Sequence, residues 1–352
     1  MTAPRTALLL VNLGTPDAPT VDAVKPYLGE FLMDKRVISI PTLLRWILVN
    51  VIILNTRPKK SAAAYQKVWT DEGSPLRIAH DKLTDAVKQA LDDDDTVGAD
   101  VVVDAAMRYG QPSIKSVVQR LQGQGVERFV VFPLYPQYAS STTGTVMEEV
   151  MDIVRTCTTV PAVAQVPAFF DDDAFIDATL AAGAELHTAF NPDHVLFSFH
   201  GLPQEHLTDA HPQHCLSSSS CCERVGAENR FCYRAQCTQT AKAIAGKLGL
   251  DDDGWSMSFQ SRLGKAEWIR PYTDDVVEQL AKDGKKRLAV YCPAFVADCL
   301  ETLEEIGMEA KEEFIAAGGE DLQLIPCVND HPVWVDGVVQ LAKRTSSWLT
   351  SD

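Results

Sequence analysis

Short aliphatic and β-branched runs alternate with longer helical stretches along the whole chain, and this alternation limits the fold more than any other feature. It is the pattern of an α/β protein with parallel sheets. Several runs are apolar almost throughout, as expected for strands that helices cover on both faces. The predicted strands are 7–13, 101–106, 129–134, 195–199, 255–259, 288–291 and 322–326.

The domain organisation follows from length and from one break in the pattern. A chain of 352 residues suggests two domains. A predicted helix ends near residue 155, and the segment that follows contains Pro161 before a new strand-like run begins. We therefore predict two Rossmann-like, doubly wound domains with parallel sheets, comprising residues 1–160 and 161–331.

Charge and hydropathy limit which classes of binding partner and which cellular compartment are expected for this chain. The net charge of −16 argues against nucleic acid, because phosphate backbones repel such a surface. The longest apolar stretch, 43–54, is interrupted by Arg45 and Asn50 and falls short of the ~20 residues of a membrane span. With no signal-peptide pattern at the start, we expect a cytoplasmic protein. Its nine cysteines are then expected to be thiols or metal ligands.

Three chemically dense segments follow predicted strands, at 135–144, 200–203 and 292–301. Ligands of open parallel sheets bind beyond the carboxyl ends of the strands, so these segments are expected to surround one cleft. His200 ends a strand and precedes Gly201 and Pro203, which turn the chain. Its imidazole suits both proton acceptance and ferrous ligation. A structural histidine is the alternative interpretation.

Carboxylates spaced by three and four residues follow the third segment. On a helix this spacing would place Asp298, Glu301 and Glu305 on one face. Such a row could bind a hydrated divalent cation or pass protons. The alternative is a solvated acidic helix N-terminus, which the helix dipole favours in any case.

A looser group of residues could bind a large ligand that carries carboxylates. An acidic protein needs a few placed arginines for such a ligand, and the aromatic and apolar residues of 37–54 could cover a flat one. Each member taken alone could be structural. The group consists of Arg57, Arg108, Tyr109 and Tyr138.

Seven segments, in this order, resemble the motifs of ferrochelatases. They span nearly the whole chain, which makes the resemblance specific, and the opening 12–19 is similar to the proteobacterial type that acts on protoporphyrin IX. The segments are 10–16, 73–75, 107–109, 135–138 with 141–144, 197–203, 259–264 with Trp268, and 298–303.

The resemblance implies a class II chelatase-like fold without a bound nucleotide, which agrees with the lack of a Gly-x-Gly-x-x-Gly fingerprint or a P-loop. It implies that a C-terminal helix within 332–352 returns to complete the first domain. His200 would be the active-site histidine and Glu301 its acidic partner, both able to meet the Fe²⁺ substrate, with Asp298 and Glu305 on a proton or metal path. The porphyrin pocket would contain Arg57, Tyr65, Ser74, Arg108, Tyr109, Tyr138, Ser261 and Trp268.

The implied activity is that of a lyase of haem biosynthesis, which inserts Fe²⁺ into protoporphyrin IX and releases two protons. Coproporphyrin III as the ring, or another metal, is the alternative within enzymes. A haem- or iron-binding sensor is the alternative outside them, although the presence of both His200 and Glu301 argues against it. The apolar segment 38–54 would form the lip of the pocket and, as in relatives, touch a membrane surface, here the inner membrane.

The sequence departs from the family pattern in a cysteine-rich segment, 211–237. Five of the nine cysteines fall within its last 23 positions, and the linker 216–220 has too little apolar content to fold by burial. Four thiolates suit a [2Fe–2S] cluster or Zn²⁺, and the absence of paired Cys-x-x-Cys motifs favours the cluster. Reduced thiols in a surface loop are the third interpretation. The expected ligands are Cys215, Cys222, Cys232 and Cys237, with Cys221 as the alternate.

Overall fold

The computed structural model describes residues 4–98, 100–216, 218, 220–262, 264 and 266–350. The chain divides into two compact units. Unit 1 comprises Met1–Leu134, Ser140–Pro167 and Val335–Asp352, and unit 2 comprises Tyr135–Ala139 and Ala168–Trp334. Ser217 and Ser219 of the cysteine-rich segment, and residues 351–352 of the predicted C-terminal region, lie outside the described residues.

Each unit contains a four-stranded sheet in which every described strand pair is parallel. The strand order is β2-β1-β3-β4 in unit 1 and β6-β5-β7-β8 in unit 2. The strands are β1 (Arg5–Asn12), β2 (Val101–Met107), β3 (Val126–Pro133), β4 (Ala162–Gln165), β5 (His194–His200), β6 (Trp255–Gln260), β7 (Arg287–Tyr291) and β8 (Asp321–Leu324).

Helices connect and flank these strands. The α-helices are α1 (Val21–Met33), α2 (Thr42–Ile47), α3 (Leu54–Val68), α4 (Pro75–Asp92), α5 (Ile114–Gly123), α6 (Thr145–Val154), α7 (Asp173–Phe190), α8 (Gln204–Ala210), α9 (Tyr233–Leu248), α10 (Thr273–Lys282), α11 (Lys311–Ala316) and α12 (Pro332–Thr345). Three π-helical segments cover Leu48–Ile53, Ser140–Gly144 and Glu301–Ala310, and a 3-10 turn covers Ser347–Leu349.

The predicted fold class, two Rossmann-like α/β domains with parallel sheets, is confirmed by this arrangement. Side chains of β1 and β5 are almost wholly buried, which explains why both strands read as unbroken apolar runs. Strand β4 was not among the predicted strands. It is a four-residue edge strand whose end residues, Ala162 and Gln165, are exposed, so it lacks an apolar run.

The third π-helical segment replaces the first part of a helix predicted over 299–316. The chain becomes helical at Leu300, is π-helical over Glu301–Ala310 and is α-helical over Lys311–Ala316. Such segments are rare and occur often at functional sites. Within the described residues, no helix is both long and apolar enough to cross a bilayer.

The strand order of unit 2 fixes where a ligand can bind. Strands β5 and β7 are neighbours, and the connection after β5 leads to β6 on one side whereas the connection after β7 leads to β8 on the other. A crevice opens at such a switch point beyond the carboxyl ends of the strands. Strand β5 ends at His200 and β7 ends at Tyr291.

Candidate active site

His200 is the last residue of β5 and stands at the switch point of unit 2. Its Nδ1 atom lies 2.6 Å from the carbonyl oxygen of Gly201. A carbonyl can only accept, so Nδ1 carries the proton and Nε2 is the basic nitrogen. The arrangement gives the imidazole one nitrogen that can take a proton or bind a metal ion.

Aromatic side chains and a glycine fix the position of this ring. The centroids of Trp268 and Phe295 lie 6.4 Å and 6.3 Å from that of His200. A Cβ atom on Gly201 would come within 2.8 Å of the Gln260 carbonyl oxygen and 3.1 Å of the Trp268 ring. The chain can therefore make its turn after His200 only because residue 201 has no side chain.

Glu301 and Glu305 lie one turn apart on the π-helical segment. The Gln260 amide donates to the Glu301 carbonyl oxygen at 2.7 Å and to the Glu305 carboxylate at 3.3 Å. The Ser261 hydroxyl donates to the same carboxylate at 2.5 Å, and the Cys299 thiol is hydrogen-bonded to the Glu301 carboxylate. The end of β6 thus anchors the π-helical segment beside the end of β5.

Glu305 is mostly buried, and desolvation raises its pKa above the ordinary value. The Ser261 hydroxyl bond and the charge of His200 act in the opposite direction, whereas the charge of Glu301 raises the pKa further. These interactions place His200, Glu301 and Glu305 in one electrostatic group. A carboxyl group with a raised pKa can hold and release a proton closer to neutral pH.

A cavity of about 240 Å³ adjoins Glu305 in unit 2. The charged side chains of its lining are four carboxylates and one guanidinium, those of Asp274, Glu305, Glu309, Glu313 and Arg262. The charges of Asp274 and Glu309, after desolvation, raise the pKa of Glu313. Such a cavity can pass protons or hydrated cations.

Asp298 lies before the helix, and its carboxylate is bonded to a different loop. Its carboxylate accepts hydrogen bonds from the Asn329 amide at 2.7 Å and from the Cys327 backbone N–H at 3.2 Å. The sequence predicts that Asp298, Glu301 and Glu305 share one helix face. Because the helix begins after Asp298, this holds only for Glu301 and Glu305. Asp298 instead connects the start of the helix to the 327–329 loop.

Two of the predicted pocket residues in unit 1 converge on a buried carboxylate, Asp34. The Arg108 guanidinium contacts Asp34 at 2.7 Å and the Tyr109 hydroxyl donates to it at 2.8 Å, while the Thr145 hydroxyl donates to the same oxygen. These bonds lower the pKa of Asp34 against the opposing effect of its burial, which is the largest single contribution. Arg108 is therefore held in place by a fixed negative charge.

The other predicted pocket residues of unit 1 occupy different settings. Arg57 is exposed on α3, and Tyr65, on the same helix, is buried with its ring edge-on to Trp69 at 6.1 Å. Ser74 is the N-cap residue of α4, and its buried hydroxyl accepts a hydrogen bond from Thr15 at 2.8 Å.

Besides Ser261, two of the predicted pocket residues lie in unit 2. The Tyr138 backbone N–H donates to the Gln236 side chain at 2.6 Å, and the Tyr138 ring lies 5.2 Å from that of Phe231. Trp268 is buried against the His200 turn.

Sequence reasoning singled out His200, Glu301 and Glu305, named Gln260 and Phe295 only as parts of segments 259–264 and 292–301, and missed Asp34. Gln260 and Phe295 each follow a predicted strand closely, at 255–259 and 288–291, and that position was the available signal. Asp34 carries no signal of this kind, because its partners Arg108 and Thr145 are 74 and 111 residues away in sequence.

The cysteine-rich segment brings several thiols together. The sulfur atoms of Cys221 and Cys222 lie 3.6 Å apart, and the Cys222 thiol is hydrogen-bonded to that of Cys232. Cys215 interacts electrostatically with all three. Cys237 is wholly buried and hydrogen-bonded to Tyr233. In the part of the chain that the structure describes, no three or more His, Cys, Asp or Glu side chains are arranged to hold a metal ion.

Nearly the whole chain is similar in sequence to known proteins of one family. The sequence profile described as ferrochelatase matches residues 5–346. A ferrochelatase of Stutzerimonas stutzeri is 48% identical over 97% of this chain and 99% of its own length. A ferrochelatase of Coxiella burnetii is 44% identical over 96% of this chain and 93% of its own length.

Among solved structures, the fold is similar to that of SirB from Bacillus subtilis with Fe³⁺. The TM-score is 0.54 at 12% identity, with 99% of this chain and 100% of that chain covered. A cobalt complex of the sirohydrochlorin chelatase SirB from a Bacillus subtilis subspecies matches with a TM-score of 0.54 at 10% identity, covering 97% of this chain and 96% of that one. At these identities the likeness supports the fold alone.

Proposed function

The chain belongs to the ferrochelatase family and is an enzyme that inserts iron into a porphyrin in haem biosynthesis, and we propose that its ring is protoporphyrin IX. The reaction joins Fe²⁺ to the ring and releases two pyrrole protons. The main support for the proposed site is the position of His200 at the switch point of unit 2, where it forms an electrostatic group with Glu301 and Glu305 of the π-helical segment.

The cationic side chains proposed for the pocket favour a ring with few carboxylates. Protoporphyrin IX carries two, whereas coproporphyrin III carries four and would need more cationic partners. Of the two proposed arginines, Arg108 already contacts Asp34, and Arg57 is exposed. This small cationic complement supports the dicarboxylate ring.

His200 is proposed to accept a pyrrole proton at Nε2 or to present the iron there. The bond from Nδ1 to the Gly201 carbonyl fixes the tautomer, and the contacts with Trp268 and Phe295 fix the ring. A base held in this way costs little reorganisation during proton transfer.

Glu301 and Glu305, with Asp298 behind them, are proposed to guide hydrated Fe²⁺ inward or protons outward. Burial raises the pKa of Glu305, which suits a group that takes a proton and passes it on. The cavity beside Glu305, whose lining includes four carboxylates and Arg262, is the proposed route between this carboxyl group and solvent. Glu301 is proposed as the acidic partner of His200, and the charge of His200 acts on the buried Glu305.

We also propose that segment 211–237 binds a [2Fe–2S] cluster through Cys215, Cys222, Cys232 and Cys237, with Cys221 as the alternate fourth ligand. Four thiolates are the donor set that such a cluster requires. Support comes from the mutual contacts of Cys215, Cys221, Cys222 and Cys232. When bound, the cluster would order the segment and leave iron insertion to His200 and Glu301.

The lip 38–54 is proposed to touch the inner membrane from the cytoplasmic side. Its helix α2 and the following π-helical segment expose Leu43 (70%), Leu44, Trp46 (50%), Val51 and Ile52. Arg45 is buried in the same stretch and donates to the carbonyl oxygens of Ile38 and Ile40, so its charge does not interrupt the apolar surface. Adjacent exposed apolar side chains of this kind suit the boundary of a bilayer.

An anaerobic assay with Fe²⁺ and each porphyrin tests the proposed function. Protoporphyrin IX should be converted to protohaem without nucleotide or added organic cofactor, and coproporphyrin III should turn over more slowly. Faster turnover of coproporphyrin III would reject the ring assignment. Porphyrin binding without loss of ferrous iron would instead indicate a sensor.

A further inference from the structure

Gln260, the last residue of β6, is bonded to both parts of the proposed site. Its backbone carbonyl accepts the Gly201 N–H at 2.8 Å, which holds the turn after His200. Its side-chain amide donates to the Glu301 carbonyl oxygen at 2.7 Å and to the Glu305 carboxylate at 3.3 Å. Because this side chain is buried, the orientation of its amide decides which atom it presents to the two glutamates.

The Glu301 carbonyl determines that orientation. A carbonyl oxygen can only accept, so the amide nitrogen of Gln260 faces the π-helical segment and the amide oxygen points elsewhere. The Ser198 hydroxyl lies 2.8 Å from that amide oxygen and donates to it. The Cys292 thiol is a weak donor and lies farther from the same oxygen, at 3.9 Å. Ser198, two residues before His200 on β5, therefore makes the stronger of these two bonds to the amide oxygen.

Two more hydroxyl groups continue this chain of hydrogen bonds within unit 2. The hydroxyl of Thr273, the first residue of α10, lies 2.9 Å from that of Ser198 and 2.9 Å from that of Ser258. Because Ser198 gives its one proton to Gln260, it accepts from Thr273, and Thr273 in turn accepts from Ser258. All four side chains are buried. The amide at one end thus fixes the direction of every bond in the chain, from Ser258 to Gln260.

We propose that Ser198 is a positioning residue for the reaction, because its bond to Gln260 keeps an amide donor directed at the Glu301 backbone and the Glu305 carboxylate. Without the Ser198 hydroxyl, the buried amide oxygen loses its stronger partner, and such a loss is costly. The amide is then no longer held in one orientation, and a half-turn would bring its oxygen against two acceptors and displace the Glu305 carboxylate. This inference rests on the role proposed for Glu301 and Glu305 in passing iron or protons.

The test compares Ser198→Ala with Ser258→Ala. Both changes remove a hydroxyl from a fully buried serine that is bonded to Thr273, but Ser198 is next to Gln260 in the chain and Ser258 is at its far end. Ser198→Ala should lower kcat/KM for Fe²⁺ about tenfold and leave the KM for porphyrin unchanged, since loss of a partner in a buried hydrogen bond is worth about that factor. Ser258→Ala should match the wild type. Equal effects of the two changes, or a wild-type rate in Ser198→Ala, would overturn the positioning role.

A second readout uses protein without substrate or metal. In ¹⁵N-glutamine-labelled protein, the side-chain NH₂ signal of Gln260 is assigned by its loss in Gln260→Met. Ser198→Ala should shift this signal and speed its exchange with solvent, whereas Ser258→Ala should leave it unchanged. An unchanged signal in Ser198→Ala would reject the role of Ser198 in orienting the amide. Because this readout needs no turnover, it separates failure of the connection from failure of the function proposed for the glutamates.

Discussion

His200 and Glu301 are the residues whose removal should reduce chemistry most while leaving the porphyrin bound. His200→Ala should lower kcat by at least the ~10²-fold typical of a lost acid–base group. Glu301→Gln keeps the shape and removes the charge, and a similar loss is expected. Porphyrin affinity, measured by fluorescence quenching, should largely survive, because burial of an apolar ring supplies most of its binding free energy.

Glu312→Gln is the matched control for the carboxylate change. Glu312 lies on α11, which continues the same helix beyond the π-helical segment, and its side chain is exposed. It should behave as wild type. Wild-type rates in His200→Ala and Glu301→Gln would show that both residues are structural.

For single residues, the sequence predicts which side chains lie in the site better than it predicts the groups to which they bond. His200 could be selected because a strand ends there and Gly201 and Pro203 turn the chain. Its tautomer could not be predicted, since it depends on a bond to a backbone carbonyl. The Arg108–Asp34 pair spans 74 residues and depends on the tertiary fold, which no local pattern encodes.

The helix that carries Glu301 and Glu305 differs from the prediction in its winding. A helix was predicted there from residue spacing, and the spacing of four between the two glutamates suits an α-helix as well as a π-helix. Nothing in the residue types of Glu301–Ala310 marks it as π-helical. In this segment the Gln260 amide donates to the carbonyl oxygen of Glu301 and to the carboxylate of Glu305, one turn further along.

The exposed lip gives an element-level prediction about membranes. Leu43→Glu combined with Trp46→Glu should reduce co-sedimentation with phospholipid vesicles by tenfold or more, since burial of one large apolar side chain is worth about 1.5–3 kcal/mol. Ile315→Glu is the control, because Ile315 is also exposed (45%) but lies on α11 of unit 2. Unchanged vesicle binding in the double variant would place the membrane contact elsewhere.

The cysteine-rich segment gives a prediction about colour and metal content. Anaerobically purified protein should be reddish-brown, with visible absorption that dithionite bleaches and with two irons and two sulfides per chain. Cys222→Ser should remove the colour, whereas Cys157→Ser should retain it, because Cys157 lies outside the segment and contacts Gln122. A colourless, zinc-free protein with full activity would reject the cluster.

At the scale of the whole molecule, the two sheets repeat one strand order. In each, the first strand of the unit pairs with the second on one side and the third on the other, and the fourth lies at the edge. The fold class could be predicted because buried parallel strands leave long apolar runs in the sequence. The short edge strand β4 could not, because its exposed ends remove that signal.

The C-terminal segment Val335–Asp352 belongs to unit 1, although it follows unit 2 in sequence. Val338, Ala342 and Leu349 are fully buried. At about 1.5–3 kcal/mol for each large apolar side chain, their loss, together with that of other buried residues of the segment, is comparable to the whole stability of a domain, about 5–15 kcal/mol. The segment is thus expected to be necessary for unit 1 to fold.

A chain that ends at Trp334 should therefore lose hydrogen-exchange protection selectively. Amides of β1 should exchange freely, while those of β5, in unit 2, should stay protected. Lys343→Met is the control, because it removes the contact with Asp94 at 2.6 Å and keeps the apolar face. An ion pair that is partly exposed contributes at most about 1 kcal/mol, so this variant should keep β1 protected. If β1 kept its protection in the truncated chain, the apolar face of the segment would contribute little to the stability of unit 1. Unit 1 would then fold without the segment.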